Sequence, residues 1–435
     1  MSRAAVRSRL EGNDVVDSQS GLQDGVVPFL RIGPSPNRVT HEGYQQWRRT
    51  RGAFVPAPRL TLDQYRAMSA RKRGLHDLHR AATHVNLRMQ ETPMSAQVTA
   101  LMRARLQNNA LKQTPGTRDG LMINGGGYQG KTETACETAA EFEDFWRDLH
   151  HQLNPNAIPG TRDLFLPVAY CQTPVKATPK GLCEAILDFY GAPHAKTLRG
   201  LIRNVRDSLH AHCTTALLLD DITRLKMHRE DDQDTLDLIR DLMSLNVTLV
   251  LIGVNIPGSG LLREGRQDPR TGQTVLSPVR RGRSQNDEAA TQTERRFDMI
   301  NLDPFHYDTP DGIAAWVNHL AGTEDQLRLF RAAPGMLTDG TMPEYLFRRT
   351  EGIVGLLKRL IEDGCTKAME NGQENLTLDL FQEIPINLGN VPGRDPGSGE
   401  VPVLKDEGKG APPKRRRHGR NTVFDDQGGR PAADA

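Results

Sequence analysis

The chain is predicted to fold as an α/β protein around a five-stranded parallel sheet covered by helices on both faces. Three observations predict it. Short unbroken apolar runs recur at residues 121–123, 165–170, 215–219, 248–252 and 299–302. Helical spacing fills most of the intervals, as at Leu236, Ile239, Leu242 and Met243. Residues 125–132, GGGYQGKT, complete the pattern G-x-x-x-x-G-K-[ST] directly after the first run. Strands buried on both faces read as continuous apolar runs, and parallel neighbours need helical crossovers. A glycine-rich phosphate loop between the first strand and its helix makes this a P-loop NTPase core.

The bulk numbers bound what surrounds that core. A length of 435 residues allows two to three domains, at roughly 100–200 residues each. Hydrophobic content is 37% and the two ends are polar, so the core occupies part of the chain. A net charge of +2 excludes a polycation, and any affinity for nucleic acid must come from local clusters. The five cysteines (Cys136, Cys171, Cys183, Cys213 and Cys365) form no C-x-x-C pair, as expected of reduced thiols in a cytoplasmic protein. No apolar run approaches the roughly 18 residues of a membrane span, and the polar N-terminus is no signal peptide, so no membrane role is expected.

Along the chain, residues 1–38 are rich in Gly, Ser and Arg without periodicity and are expected to be disordered. Residues 39–110 read as a helical extension, with 44–90 largely amphipathic helix containing Trp47. Thr92-Pro93 is a cap followed by a first-turn proline, and helical spacing continues through 96–106. Residues 111–306 hold the α/β core, and 307–385 carry only helical patterns, a small helical lid. Residues 386–435 are rich in Gly and Pro and carry Lys414, Arg415, Arg416 and Arg417, a disordered basic tail.

Each part of the expected nucleotide site has a mechanical duty. Gly125 and Gly130 let the loop wrap a polyphosphate, and Gly126, Gly127, Tyr128 and Gln129 complete its cradle of backbone N–H groups. Lys131 reaches the β- and γ-phosphates of ATP, and the Thr132 hydroxyl ligates Mg²⁺. The strand ending in Asp220-Asp221 puts Asp220 in the Mg²⁺ shell and leaves Asp221 to orient or deprotonate attacking water. Asn255, after the next strand, either senses the γ-phosphate or simply favours a turn. Arg296, before the fifth strand, is either an arginine finger for a neighbouring nucleotide or half of a solvated basic pair with Arg295.

The order of these parts over residues 44–384 resembles the AAA+ transposition ATPases TniB and TnsC, and more distantly MuB. The Thr92-Pro93 entry, the phosphate loop, LLLDDITRL, LIGVN, the RRF before the fifth strand and RTEGIVGLLKRL follow the family's sequence of motifs. The resemblance implies an ATPase that assembles head to tail as rings or filaments on double-stranded DNA and recruits a DDE transposase, with a target-selection protein as a further partner. It implies a bacterial, cytoplasmic, nucleoid-associated protein in which Arg296 acts in trans. It also assigns DNA contacts to the segment after the second strand, at Lys176 and Lys180, and to Lys196 and Thr197. Lysine and threonine suit phosphate contacts and read no bases.

Three features depart from the family. Asp221 stands where Glu is usual, so hydrolysis is expected to be slow. The lid helix begins Gly352-Ile353-Val354-Gly355, without the arginine that many AAA+ proteins carry there. The connection 263–294 is long and contains Arg280, Arg281 and Arg283. The alternative reading is an AAA+ replication initiator or helicase loader, which shares the core.

Overall fold

The computed structural model describes residues 29–30, 34–156, 165–175, 178–225, 233–259, 265–267, 274–276 and 294–386. The basic run at Arg280–Arg283, the Lys414–Arg417 cluster, nearly all of the expected 386–435 tail and most of the 1–38 segment lie outside these residues.

The five apolar runs become strands β1 (Gly120–Asn124), β2 (Val168–Gln172), β3 (Ala216–Asp220), β4 (Thr248–Gly253) and β7 (Phe297–Asn301). A separate antiparallel pair, β5 (Gly265–Gln267) with β6 (Thr274–Leu276), lies in the long connection before β7 and was not legible as strand. The main sheet is wholly parallel, in the order β2-β3-β4-β1-β7. The second run starts its strand later than its apolar residues do. Pro167 has no N–H to give a ladder, and its carbonyl instead receives Thr215 and Ala216.

Helices cover the sheet. They are α4 (Pro93–Leu111), α5 (Lys131–Leu153), α6 (Pro179–Tyr190), α7 (Leu198–Ala211) and α8 (Gln233–Met243), preceded by α1 (His41–Thr50), α2 (Leu62–Arg66) and α3 (Ala70–Val85). The lid comprises α9 (Pro310–Glu324), α10 (Met342–Thr350), α11 (Val354–Glu370) and α12 (Leu378–Gln382). Threonines open many of them. Thr40, Thr92, Thr178, Thr197, Thr309 and Thr377 each accept a first-turn N–H, which satisfies a backbone donor the helix itself cannot. The 44–90 stretch is broken between α1 and α2, where Gly52 turns the chain at φ 74° and the following residues, with Pro56 and Pro58, are not helical.

Among the described residues, two apolar cores form. One runs from Tyr44 to Leu302 and includes every strand of the main sheet; the other runs from Phe305 to Ile384 around Trp316. The N-terminal helices join both. In α1, Tyr44 is fully buried beside Phe189, and Gln45 donates to the buried Glu143 of α5 at 2.7 Å. Arg51 pairs with Asp144 at 2.6 Å and Glu137 at 3.1 Å, and Arg48 with Asp144. In α3, Arg80 is 1% exposed and forks onto Glu374 at 2.8 and 3.1 Å, with its guanidinium 4.0 Å from the Phe330 ring centre. Breaking such a buried pair costs about 3–5 kcal/mol, so α3 is firmly fixed to the lid. Arg38, at the end of the predicted disordered segment, is also held: it pairs with Glu133 at 2.7 Å and stacks over Trp47 and Tyr170.

Candidate functional site: the phosphate loop and the strand ends

The chain passes from β1 through Gly125, Gly126, Gly127, Tyr128 and Gln129 to Gly130, which is left-handed at φ 84°, and enters α5 at Lys131. Unlike the threonine-capped helices, α5 has no side-chain cap hydrogen bond. Its first N–H groups and the positive end of its dipole are therefore available to an anion lying in the loop. Lys131 is largely buried and its ammonium rests on the Gly126 carbonyl. Burial lowers the pKa of Lys131, and the carboxylates of Asp220 and Asp221 oppose that shift. Among the described residues, the Gln129 Oε1 is buried without a hydrogen-bond partner.

Asp220 closes β3 directly opposite. Its Oδ2 accepts from the Thr132 hydroxyl at 2.8 Å and from the Tyr170 hydroxyl at 2.8 Å, while Oδ1 accepts its neighbour's backbone N–H at 2.8 Å. A hydroxyl and a carboxylate in contact are the oxygen donors a hard cation such as Mg²⁺ takes. Asp221 leaves the strand in the left-handed region, at φ 53°. Its carboxylate is engaged by Arg224 at 2.8 Å and Gln172 at 3.1 Å. Arg224 also donates to the Thr173 carbonyl at 2.9 Å.

Asn255 is exposed and left-handed at φ 53°, and opens a short 3-10 turn, Ile256–Gly258. The neighbouring Ile256 N–H donates to the side chain of Asn124 at 2.9 Å, and Asn124 donates in turn to Asn301 at 2.9 Å. Asn124 thus ties the ends of β1, β4 and β7 together just before the phosphate loop. Arg296 lies at the N-terminal end of the strands, away from the loop: its carbonyl receives the N–H of Gly120, the first residue of β1. Five strand residues separate that end from the loop, about 16 Å at 3.3 Å per residue. An arginine side chain does not span this distance within one subunit.

The expected DNA-contact residues are dispersed. Lys176 lies outside the described residues. Lys180, in the first turn of α6, is half exposed and faces Glu184 at 3.7 Å, in a groove also lined by Pro174, Thr178 and Asp188. Lys196 and Thr197 are exposed at the start of α7, where Thr197 accepts the Gly200 N–H at 3.2 Å and keeps its own hydroxyl proton free to donate.

Sequence reasoning passed over Tyr170, Gln172, Arg224 and Asn124. Each is an ordinary polar residue within or beside an apolar run, and none announces a role until the strand ends are assembled. Among the described residues, no helix is long and apolar enough to cross a membrane.

The sheet order, with the phosphate loop following β1 and a helical lid following β7, is that of the AAA+ P-loop NTPase fold. No protein-family model matches the chain, and no curated protein matches it. Solved structures similar to it include the Orc1 protein of Aeropyrum pernix in complex with DNA, at 14% identity and a TM-score of 0.48 over 70% of this chain and 68% of that one. Cdc6p of Pyrobaculum aerophilum is similar at 14% identity and a TM-score of 0.43, over 68% and 67% of the two chains. AMPPCP-bound DnaA of Aquifex aeolicus is similar at 13% identity and a TM-score of 0.35, over 65% and 64%.

Proposed function

We propose that this protein is an ATP-dependent regulator of transposition that assembles on double-stranded target DNA and recruits a DDE transposase. The observation that carries the nucleotide part is the contact of Thr132 with Asp220 beside the buried Lys131 and the side-chain-uncapped start of α5. Thr132 and Asp220 would hold Mg²⁺, which would neutralise phosphate charge when bound, and Lys131 with the loop amides would hold the ATP phosphates. Asp221 would orient the attacking water and Asn255 would lie near it.

The position of Arg296 supports assembly. An arginine at the opposite end of the strands from its own loop suits a head-to-tail neighbour, and such a heterologous contact propagates as a ring or an open filament. The order of motifs resembling TniB and TnsC supports the transposition role and the contacts of Lys176, Lys180, Lys196 and Thr197 with DNA phosphates. The held carboxylate of Asp221, one methylene shorter than Glu, supports slow hydrolysis used as an assembly switch.

Electron microscopy of the protein with duplex DNA and a slowly hydrolysed ATP analogue tests the proposal. Filaments or rings are expected for the native chain and dispersed particles for Lys131→Ala. Dispersed native particles at low salt refute it. Assembly that loads a helicase but binds no transposase would favour the initiator or loader class instead.

A further inference from the structure

The lid touches the phosphate loop backbone to backbone. Gly355, in the first turn of α11, donates its N–H to the Tyr128 carbonyl at 2.9 Å. A Cβ at Gly355 would stand 2.6 Å from that oxygen and 3.0 Å from the Cβ of Tyr128. Ile353, the cap residue of α11, makes no side-chain cap hydrogen bond. One of the helix's unpaired N–H groups is thus satisfied by the phosphate loop itself, which serves as the cap. Tyr128 holds its carbonyl there from the left-handed region, at φ 60°.

The same grip recurs at the loop's entry. Leu302 donates to the Asn124 carbonyl at 2.7 Å, and a Cβ on Gly125 would lie 2.5 Å from the Leu302 carbonyl. Three residues on, Phe305 donates to the Gly352 carbonyl at 3.0 Å, where a Cβ would lie 2.4 Å from the Phe305 oxygen. The main chain therefore makes a closed circuit: loop entry to Leu302, on to Phe305, across to Gly352, along to Gly355 and back to Tyr128. At each crossing the glycine has no room for a Cβ. Farther along α11, Lys358 and Arg359 lie beside Glu362 and Asp363 of their own helix, at 3.7 and 3.8 Å.

We propose that Gly355 couples the phosphate loop to the lid. When nucleotide reshapes the loop, the Tyr128 carbonyl moves, and α11 follows it through its cap hydrogen bond and through contact too close to slip. The coupling passes along the main chain, in a helix whose start carries no arginine. This rests on the nucleotide-binding reading above.

Hydrogen–deuterium exchange of the full chain, with and without Mg²⁺ and a slowly hydrolysed ATP analogue, tests it. In the native chain, nucleotide is expected to protect both the loop peptides and those of α11. Gly355→Ala keeps a good helix former in the first turn but pushes the lid off the loop; it should keep the loop's protection and lose that of α11. Tyr128→Gly leaves α11 intact and frees the carbonyl to turn, so at nucleotide concentrations that still protect its loop its lid response should weaken as well. Full lid protection in either variant overturns the coupling. No protection of the loop in the native chain overturns the nucleotide reading, and the coupling with it.

Discussion

The carboxylate of Asp221 sits in an ion pair, and releasing it should speed turnover. Asp221 and Arg224 approach to 2.8 Å, but their side chains are 39% and 37% exposed. Solvent screens a pair this open, and such pairs are worth about 0.2–1 kcal/mol. If Asp221 must leave Arg224 before it can orient water, that amount is part of the barrier. Arg224→Ala removes it, which raises kcat by about 1.4- to 5-fold at 1.36 kcal/mol per tenfold. The Gln172 amide, at 3.1 Å, still holds the carboxylate, so Gln172→Ala in the same background should add a further increase. Steady-state phosphate release at saturating Mg²⁺, ATP and duplex DNA measures both. A fall in kcat with KM unchanged would refute the reasoning, because it would make Arg224 a contributor to the transition state rather than a restraint on Asp221.

Three further outcomes follow from the same geometry. Tyr170→Phe removes one of the two hydroxyls on the Asp220 Oδ2; hydrogen bonds to charged groups contribute about 1.5–3 kcal/mol, so the Mg²⁺ concentration needed for half-maximal nucleotide binding should shift, and an unchanged Mg²⁺ titration would contradict a positioning role. Lys180→Ala should weaken binding to all duplex sequences alike and reduce the slope of log affinity against log salt by about one; loss confined to one sequence would exclude a phosphate contact. His84 is buried and accepts the Arg328 N–H at 2.9 Å, and burial, reinforced by Arg80 and Arg328, lowers its pKa to about 4 from 6.5. The unfolded chain therefore binds the proton more readily between those values. The stability this histidine contributes is full above pH 6.5 and falls as the pH drops towards 4, with about 2 kcal/mol lost by pH 5. Denaturant unfolding at pH 7.5 and pH 5 measures this, and His84→Gln should flatten the difference.

Much of the fold was legible because strands buried on both faces are written as unbroken apolar runs. Residues 121–123, 215–219 and 248–252 fall on β1, β3 and β4 almost residue for residue. The break between α1 and α2 was less legible, since Arg-rich amphipathic spacing on either side of Gly52, Pro56 and Pro58 masks the non-helical stretch. The antiparallel pair β5–β6 was not legible at all: three residues are too few to carry an alternation signal.

By itself, the sequence determined the P-loop core, because GGGYQGKT is a local device whose residues work together within one turn and one helix start. It also determined that Asp220 closes β3 with Asp221 directly after it, because a strand's last residues are fixed by its own apolar run. Only the tertiary structure decided the partners of those acids. Tyr170 reaches Asp220 across two adjacent strands, and Gln172 and Arg224 reach Asp221 from different elements, pairings that no spacing along the chain encodes. It likewise decided that Arg296 lies about 16 Å from its own loop by the rise of β1, and that Gly355 and Tyr128, 227 positions apart in the chain, meet main chain to main chain. Local sequence fixes conformation over a few residues, whereas contacts between distant residues exist only once the sheet has set which strand ends lie side by side.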